Sequence, residues 1–209
     1  MNESSSSYWP AHIVGNGAGK QFWVKEMHNH LSEMSIVCNL EERGRLSSIY
    51  DRKIISEVCG KKRRISRPVI LVGNAAEHAL QENDFYRRAV VVGIVRKRPL
   101  KPQNAGQGAL IWALRCGYDP INIWGWDSLW TGERKTDSDQ FWPRPPTLCQ
   151  EPNGWRNGWR NIFDVFKSAS FTLHVPEGVQ RKHLFRKGWD QEIAKGYRKR
   201  FTLVHHAPE

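Results

Sequence analysis

Ala11-His12-Ile13-Val14-Gly15-Asn16-Gly17-Ala18-Gly19-Lys20-Gln21-Phe22-Trp23 is the stretch on which the reading of the fold turns. Four mostly apolar residues stop at a glycine-rich run, and the apolar positions that follow, Phe22, Trp23, Met27 and Leu31, recur at helical spacing. The order is strand, tight turn, helix. Outward from it the alternation repeats. Apolar runs at 34–38, 69–72, 89–95, 121–124 and 171–175 read as strands, and 75–81, 106–117 and a segment ending at 162–167 read as helices. Residues 47–59 fit either period. Gly117 closes the helix before Tyr118 as a C-terminal cap, and strand 121–124 follows after the few residues usual for such a connection. Strands alternating with helices give an α/β domain with a mainly parallel sheet and helices on both faces. Residues 131–159 show no clear period and are rich in Pro, Gly, Trp and Asp, so a long irregular lid is expected there. The expected organisation is a disordered polar N-terminus (1–10), an α/β domain (11–178) carrying the lid, and a basic C-terminal extension (179–209).

Composition narrows the class. With 209 residues, 39% of them hydrophobic, the chain can close a core without disulfides or a structural metal. Its cysteines at 38, 59, 116 and 149 form no Cys-x-x-Cys pair, which fits reduced thiols in a cytoplasmic protein. The start is polar and serine-rich without an apolar signal core, and no apolar run approaches the roughly 20 residues of a membrane helix. No membrane partner is therefore expected. A formal charge of +11 predicts attraction to polyanions.

In parallel sheets ligands bind outside the carboxyl ends of the strands, where the strand order reverses. The polar residues that end the strands here are Gly15-Asn16-Gly17, Asn39, Gly73-Asn74 and Gly125-Trp126-Asp127, and they should gather on one edge. The glycine run with Lys20 is suited to turning N–H groups and a cation toward a phosphate. It matches neither the dinucleotide fingerprint nor a Walker A loop.

From Asn104 to Trp130 the chain resembles the bacterial sialyltransferase family of glycosyltransferases, which has a modified Rossmann-like fold. The resemblance rests on Gly15-Asn16-Gly17, Asn39, Ala105-Gly106, Gly117-Tyr118, Gly125-Trp126-Asp127 and the run Phe171-Thr172-Leu173-His174-Val175-Pro176-Glu177-Gly178. It implies a single Rossmann-like domain and a nucleotide-sugar donor, with the Gly15–Lys20 loop near the phosphate and Asn39 near the nucleotide. Gly106 and Asp127 would frame the pocket, beside Asn104, Gln107, Gly125 and Trp126. The chain departs from the family where Ala105 replaces a serine, where Trp126 stands in the strand end, and where residues 131–159 lack the histidine that serves the family as general base.

Glycosyl transfer needs a base at the acceptor hydroxyl and a partner for the departing phosphate. Asp127 is the first candidate base, Asp51 the second and His174 a further alternative. Lys20, Arg134, Lys135, Arg156 and Arg160 are candidates to meet the phosphate. Trp155, Arg156, Trp159 and Arg160, with Arg198, Lys199 and Arg200 of the tail, are expected to face an anionic acceptor such as modified DNA. The histidines show no metal-ligand spacing, and His205-His206 reads as a frayed end. Asp137-x-Asp139 leaves divalent-metal dependence open. Two other functions fit the composition: a pyrophosphokinase or nucleotidyl-type transferase using ATP, and a non-enzymatic nucleic-acid-binding module.

Overall fold

The computed structural model describes residues 9–17, 19–39, 44–82, 84–131, 133–136, 147–150, 153–186 and 188–207. Strand β1 (Ala11–Val14) leads through α1 (Lys20–Glu26) to β2 (Met34–Cys38), and β3 (Leu46–Ile49) through α2 (Arg52–Gly60) to β4 (Val69–Val72). Two short helices, α3 (Asn74–Gln81) and α4 (Phe85–Arg88), precede β5 (Val91–Val95). Then α5 (Ala105–Arg115) carries the chain back to β6 (Ile121–Trp124). After α6 (Ser128–Thr131), β7 (Glu133–Thr136) and β8 (Thr147–Gln150) pair antiparallel, and α7 (Asn153–Val165) runs to β9 (Phe171–Pro176). Helix α8 (Gln191–Arg198) and β10 (Phe201–His206) complete the order.

Eight strands form one sheet in the order β10-β9-β6-β1-β2-β3-β4-β5, every neighbouring pair parallel. The expected α/β class with a parallel sheet is the observed one. Strands β1 to β5 are laid down outward from the centre. Helix α5 then recrosses the sheet, and β6, β9 and β10 extend it the other way, so the order reverses between β1 and β6. Register is set by burial on both faces: Ile13 lies opposite Ile36 and Ile123, and Val14 opposite Val37 and Trp124. Ile13, Ile36, Ile70, Val72, Ile123 and Leu173 pack under α5 and α7, with Trp159, Ile162 and Phe163 contributed by α7. On the other face α1 brings Phe22 and Trp23 against Val14, Val37 and Trp124, while α2 to α4 cover Ile49, Val69 and Leu71.

Three segments differ from their sequence expectation. Residues 47–59 contain both periods in turn, the strand β3 and then α2, capped by Asp51. The expected lid is not irregular throughout, because the β7–β8 pair and the first half of α7 lie in it. The tail is not merely an extension, since β10 pairs with β9 from Phe201↔Phe171 to His206↔Pro176 and closes one edge of the sheet. The expected cap at Gly117 is present: its φ is +80°, its N–H donates to Leu114 (3.2 Å), and that of Tyr118 reaches Ala113 (3.1 Å).

Candidate functional site

At the seam between β1 and β6 the two strand ends cross-link. The N–H of Gly15 donates to the Trp124 carbonyl (2.8 Å) and that of Gly17 to the Gly125 carbonyl (2.9 Å). Gly125 has φ of +65°, and a Cβ there would stand 2.9 Å from the Gly15 carbonyl oxygen, so shape and space both demand glycine. Trp126 lies across the turn. A Cβ on Gly15 would come within 2.4 Å of its Cδ1, and one on Gly106 within 2.5 Å of its Cζ2. The indole thus fills the gap between the β1 turn and the start of α5, only 9% exposed.

Asp127 occupies the next space. Its carboxylate accepts from the N–H of Gly19 at 3.2 and 3.3 Å to the two oxygens, and a Cβ on Gly17 would meet it at 2.9 Å. Gly19 immediately precedes α1, so this carboxylate caps the helix where the glycine run suggested a phosphate. Gly15, Gly17 and Gly19 therefore make room for Trp126 and Asp127. Asn16 is half-buried in the same turn and Lys20 begins α1.

The carboxyl ends of β2, β3 and β4 are different. Asn39 follows β2 with φ of +62° and donates its N–H to Ser48 (2.7 Å). Asp51 follows β3 and accepts from the Lys53 N–H (2.9 Å). Gly73, with φ of +57°, leads from β4 to Asn74, the first residue of α3. Asn104 caps α5 by accepting from the Gln107 N–H (2.8 Å), and Ser48 Oγ fixes that helix start over β3 by donating to the Ala105 carbonyl (2.8 Å). Tyr50 lies among them. Burial, and then the Asp51 charge, push its hydroxyl above the usual tyrosine range, so it remains an O–H. Asn39, Asp51, Asn74 and Asn104 are all partly exposed along this edge.

The stretch Asn153-Gly154-Trp155-Arg156-Asn157-Gly158-Trp159-Arg160-Asn161 repeats every four residues, which sets like residues along like stripes of α7. Its glycines face α5 and the residues just before it, Gly154 meeting Gln103 and Gly158 meeting Gln107. A Cβ on Gly158 would stand 2.1 Å from Gln107 Oε1. Gln107 is fully buried, accepting from the Gln103 N–H (2.9 Å) and donating to the Trp155 carbonyl (2.9 Å). Trp159 is a core residue, edge-on to Trp126 at 5.0 Å between rings. The Arg160 guanidinium lies 5.7 Å over Trp189. Of the four α7 residues expected at an acceptor, Trp155, Arg156 and Arg160 are half-buried and Trp159 is buried.

The tail cations also turn inward. Arg200 donates to the carbonyls of Ala169 (2.8 Å), Phe163 (3.1 Å) and Phe166 and lies over the Phe163 ring, closing the end of α7. Arg198 donates to the Leu184 carbonyl (2.7 Å) and to Gln191. Both are structural, which corrects their expected place at the acceptor; Lys199 alone of the three is exposed. Arg134, Lys135, Asp137 and Asp139 have side chains outside the described residues.

Beneath the seam, on the α1 face, lies a layer of histidines. His174 stacks on Trp124 with ring centroids 3.3 Å apart, its Nδ1 is 2.9 Å from His206 Nε2, and its Nε2 is buried without a hydrogen-bond partner. Burial, then the neighbouring His206, His12 and His30, depress its pKa to about 3. His206 is thus paired within β10 rather than frayed. His174 is buried on this face and is no exposed base.

His12, His30 and Glu33 bring three potential ligand atoms within 4.8 Å of one another, from positions whose sequence spacing gave no warning. The polar His12 within an apolar strand is the one trace of it. The hydrogen bonding argues against a cation. Trp124 Nε1–H donates to His12 Nδ1 at 3.0 Å, and an indole N–H is donor only. Nδ1 must therefore be the unprotonated nitrogen, which leaves the proton on Nε2, where it is donated to Glu33. A metal on Nε2 would force a second N–H to face the indole. Burial lowers the His12 pKa, while burial of Glu33 is outweighed by the His12 hydrogen bond and its pKa falls too, as a neutral imidazole donating to a carboxylate requires.

A surface groove between α2 and α3 is lined by Arg52, Lys53, Ser56, Glu57 and His78. Ser56 Oγ is 2.8 Å from His78 Nε2, but Glu82 approaches the same nitrogen (3.7 Å) rather than Nδ1. It is not the arrangement of a nucleophilic triad. No helix among the described residues is long and apolar enough to cross a membrane. No protein-family model, curated protein or solved structure matches this chain.

Proposed function

We propose that the chain is a glycosyltransferase that takes its sugar from a nucleotide-linked donor bound along the carboxyl edge of β2, β3 and β4. One observation carries this reading: Asn39, Tyr50, Asp51, Asn74 and Asn104 converge on a single edge beside the point where strand order reverses. Short amides and a phenolic O–H are suited to the base and ribose of a nucleotide, which present both donors and acceptors. Lys20, at the start of α1 beside the seam, is proposed to meet the donor phosphate. The donor is a co-substrate.

Asp127 is the proposed base, in a modified sense. Its carboxylate is held beside the start of α1 by the Gly19 N–H. Asp51 has the same kind of cap on α2. The acceptor is proposed to be anionic, in keeping with the +11 charge.

Ligand-observed NMR with CMP, UDP and ATP plus magnesium tests the reading, followed by a donor-hydrolysis screen with the corresponding nucleotide sugars. Saturation transfer to a pyrimidine nucleotide that disappears in Asn39→Gly is the expected result. Transfer to ATP alone, with magnesium, would instead favour the nucleotidyl-type reaction, and no nucleotide signal at all would remove the donor site.

A further inference from the structure

The charge of this molecule is unevenly placed. Between residues 61 and 101 stand eleven lysines and arginines against Glu77, Glu82 and Asp84 alone. Unlike Arg198 and Arg200, most of these cations are exposed. They fall in two groups at the two ends of β5, the outermost strand on its side of the sheet. Lys62 and Arg64 lie at its amino end, where the Ile65 N–H donates to the Arg88 carbonyl (2.8 Å) and pins the basic loop against α4, which carries Arg87. Arg96, Lys97 and Arg98 follow its carboxyl end. Between them Val90, Val92 and Ile94 are 64%, 45% and 44% exposed, and Tyr86 stands 41% exposed beside Arg87.

We propose that this edge binds a nucleic-acid strand, with phosphates on the two cation groups and bases over the valine, isoleucine and tyrosine between them. A strand of five residues is about 17 Å long, a span that a few nucleotides cover. The outward N–H and C=O groups of β5 meet no other strand among the described residues, and base edges are able to pair with them. That same feature argues against a lipid surface, because inserting the aliphatic strip would drag unpaired backbone groups into hydrocarbon. It favours a single strand over a duplex, whose stacked bases offer nothing to cover the strip. As a bound partner, nucleic acid stands independently of the donor site; as the acceptor, it rests on the transferase reading.

The test compares two charge-matched variants of the full chain by fluorescence anisotropy with a labelled single-stranded 20-mer, a duplex and anionic vesicles, in the absence of nucleotide. One variant carries Arg64→Gln, Arg87→Gln, Arg96→Gln and Arg98→Gln; the other carries Arg181→Gln, Lys182→Gln, Arg186→Gln and Lys195→Gln. Circular dichroism establishes that both fold. The first should lose at least about tenfold in single-strand affinity and about three units of salt slope, at roughly 0.7 per phosphate contact. The second should lose much less. Equal losses would reduce the effect to net charge, and no loss in either would leave the cations as guards of an exposed edge strand. Either result overturns the proposal, as does tighter binding to duplex or vesicles. Because no nucleotide is present, all of these outcomes are separate from success or failure of the donor site.

Discussion

The two halves of the carboxyl edge differ in what fills them. At the β1–β6 seam the glycines are packed by the chain's own Trp126 and Asp127; over β2 to β4 the strand ends carry Asn39, Asp51 and Asn74 in partly open positions. A glycine-rich turn after a first strand announces close approach, and it does not say of what. Here the close approach is intramolecular, and the proposed donor site is the half with the asparagines.

The sharpest way to break this contrast is Trp126→Ala. If the seam is structural, losing this buried indole should cost roughly 3–5 kcal/mol in denaturant titration. A stable variant with gained nucleotide affinity would instead make Trp126 a plug over a ligand site. Gly15→Val should also destabilise, since its side chain must displace Trp126; a folded variant that loses only nucleotide binding would return the turn to the donor.

Acid should act on the layer beneath the seam. The buried His174 has a folded pKa near 3 against an unfolded value near 6.5, so its contribution is complete above pH 6.5 and is lost as pH falls below it. At pH 5 the loss should be roughly 2 kcal/mol. His12 and His206, also depressed by burial, act in the same direction. Glu33, with its pKa lowered, adds a further loss only at more acidic pH, through and below the ordinary carboxylate range. Thermal melts from pH 7.5 to 5 measure this, and His174→Gln should flatten the profile; an unchanged slope would contradict the assignment.

Asp127→Ala should cost roughly 0.5–2 kcal/mol as a lost helix cap, and Asp127→Asn less. Turnover separates the two roles: if the carboxylate is the base, Asn should lower kcat far more than stability, whereas parallel small losses would leave only the cap. The smallest structural effect is expected for Asn39→Gly. Glycine suits φ of +62° better than asparagine, so stability should hold or rise slightly while nucleotide affinity falls about tenfold. Unchanged affinity would take Asn39 out of the site.

Much of the sheet was legible because buried parallel strands are short apolar runs, and α5 with its Gly117 cap carried both period and stop signal. Helix α7 was not. Its Gly, Asn and Trp are weak helix formers, and the four-residue repeat hides a helix held by packing against α5. Strand β10 was obscured by the cations before it. Distance in sequence concealed the rest: Asp127 caps a helix that begins 107 residues earlier, and the His12–His30–Glu33 group exists only once β1 meets the turn after α1.

The Gln107 clasp ties two positions into one unit of tolerance. With a Cβ at 158 brought to 2.1 Å from its Oε1, any larger residue at 158 must turn the end of the buried glutamine away from the Gln103 N–H and the Trp155 carbonyl that it holds. In a saturation library selected for folding, these sites should behave as a single two-letter word, replacements of Gly158 being enriched in clones that have also shortened Gln107.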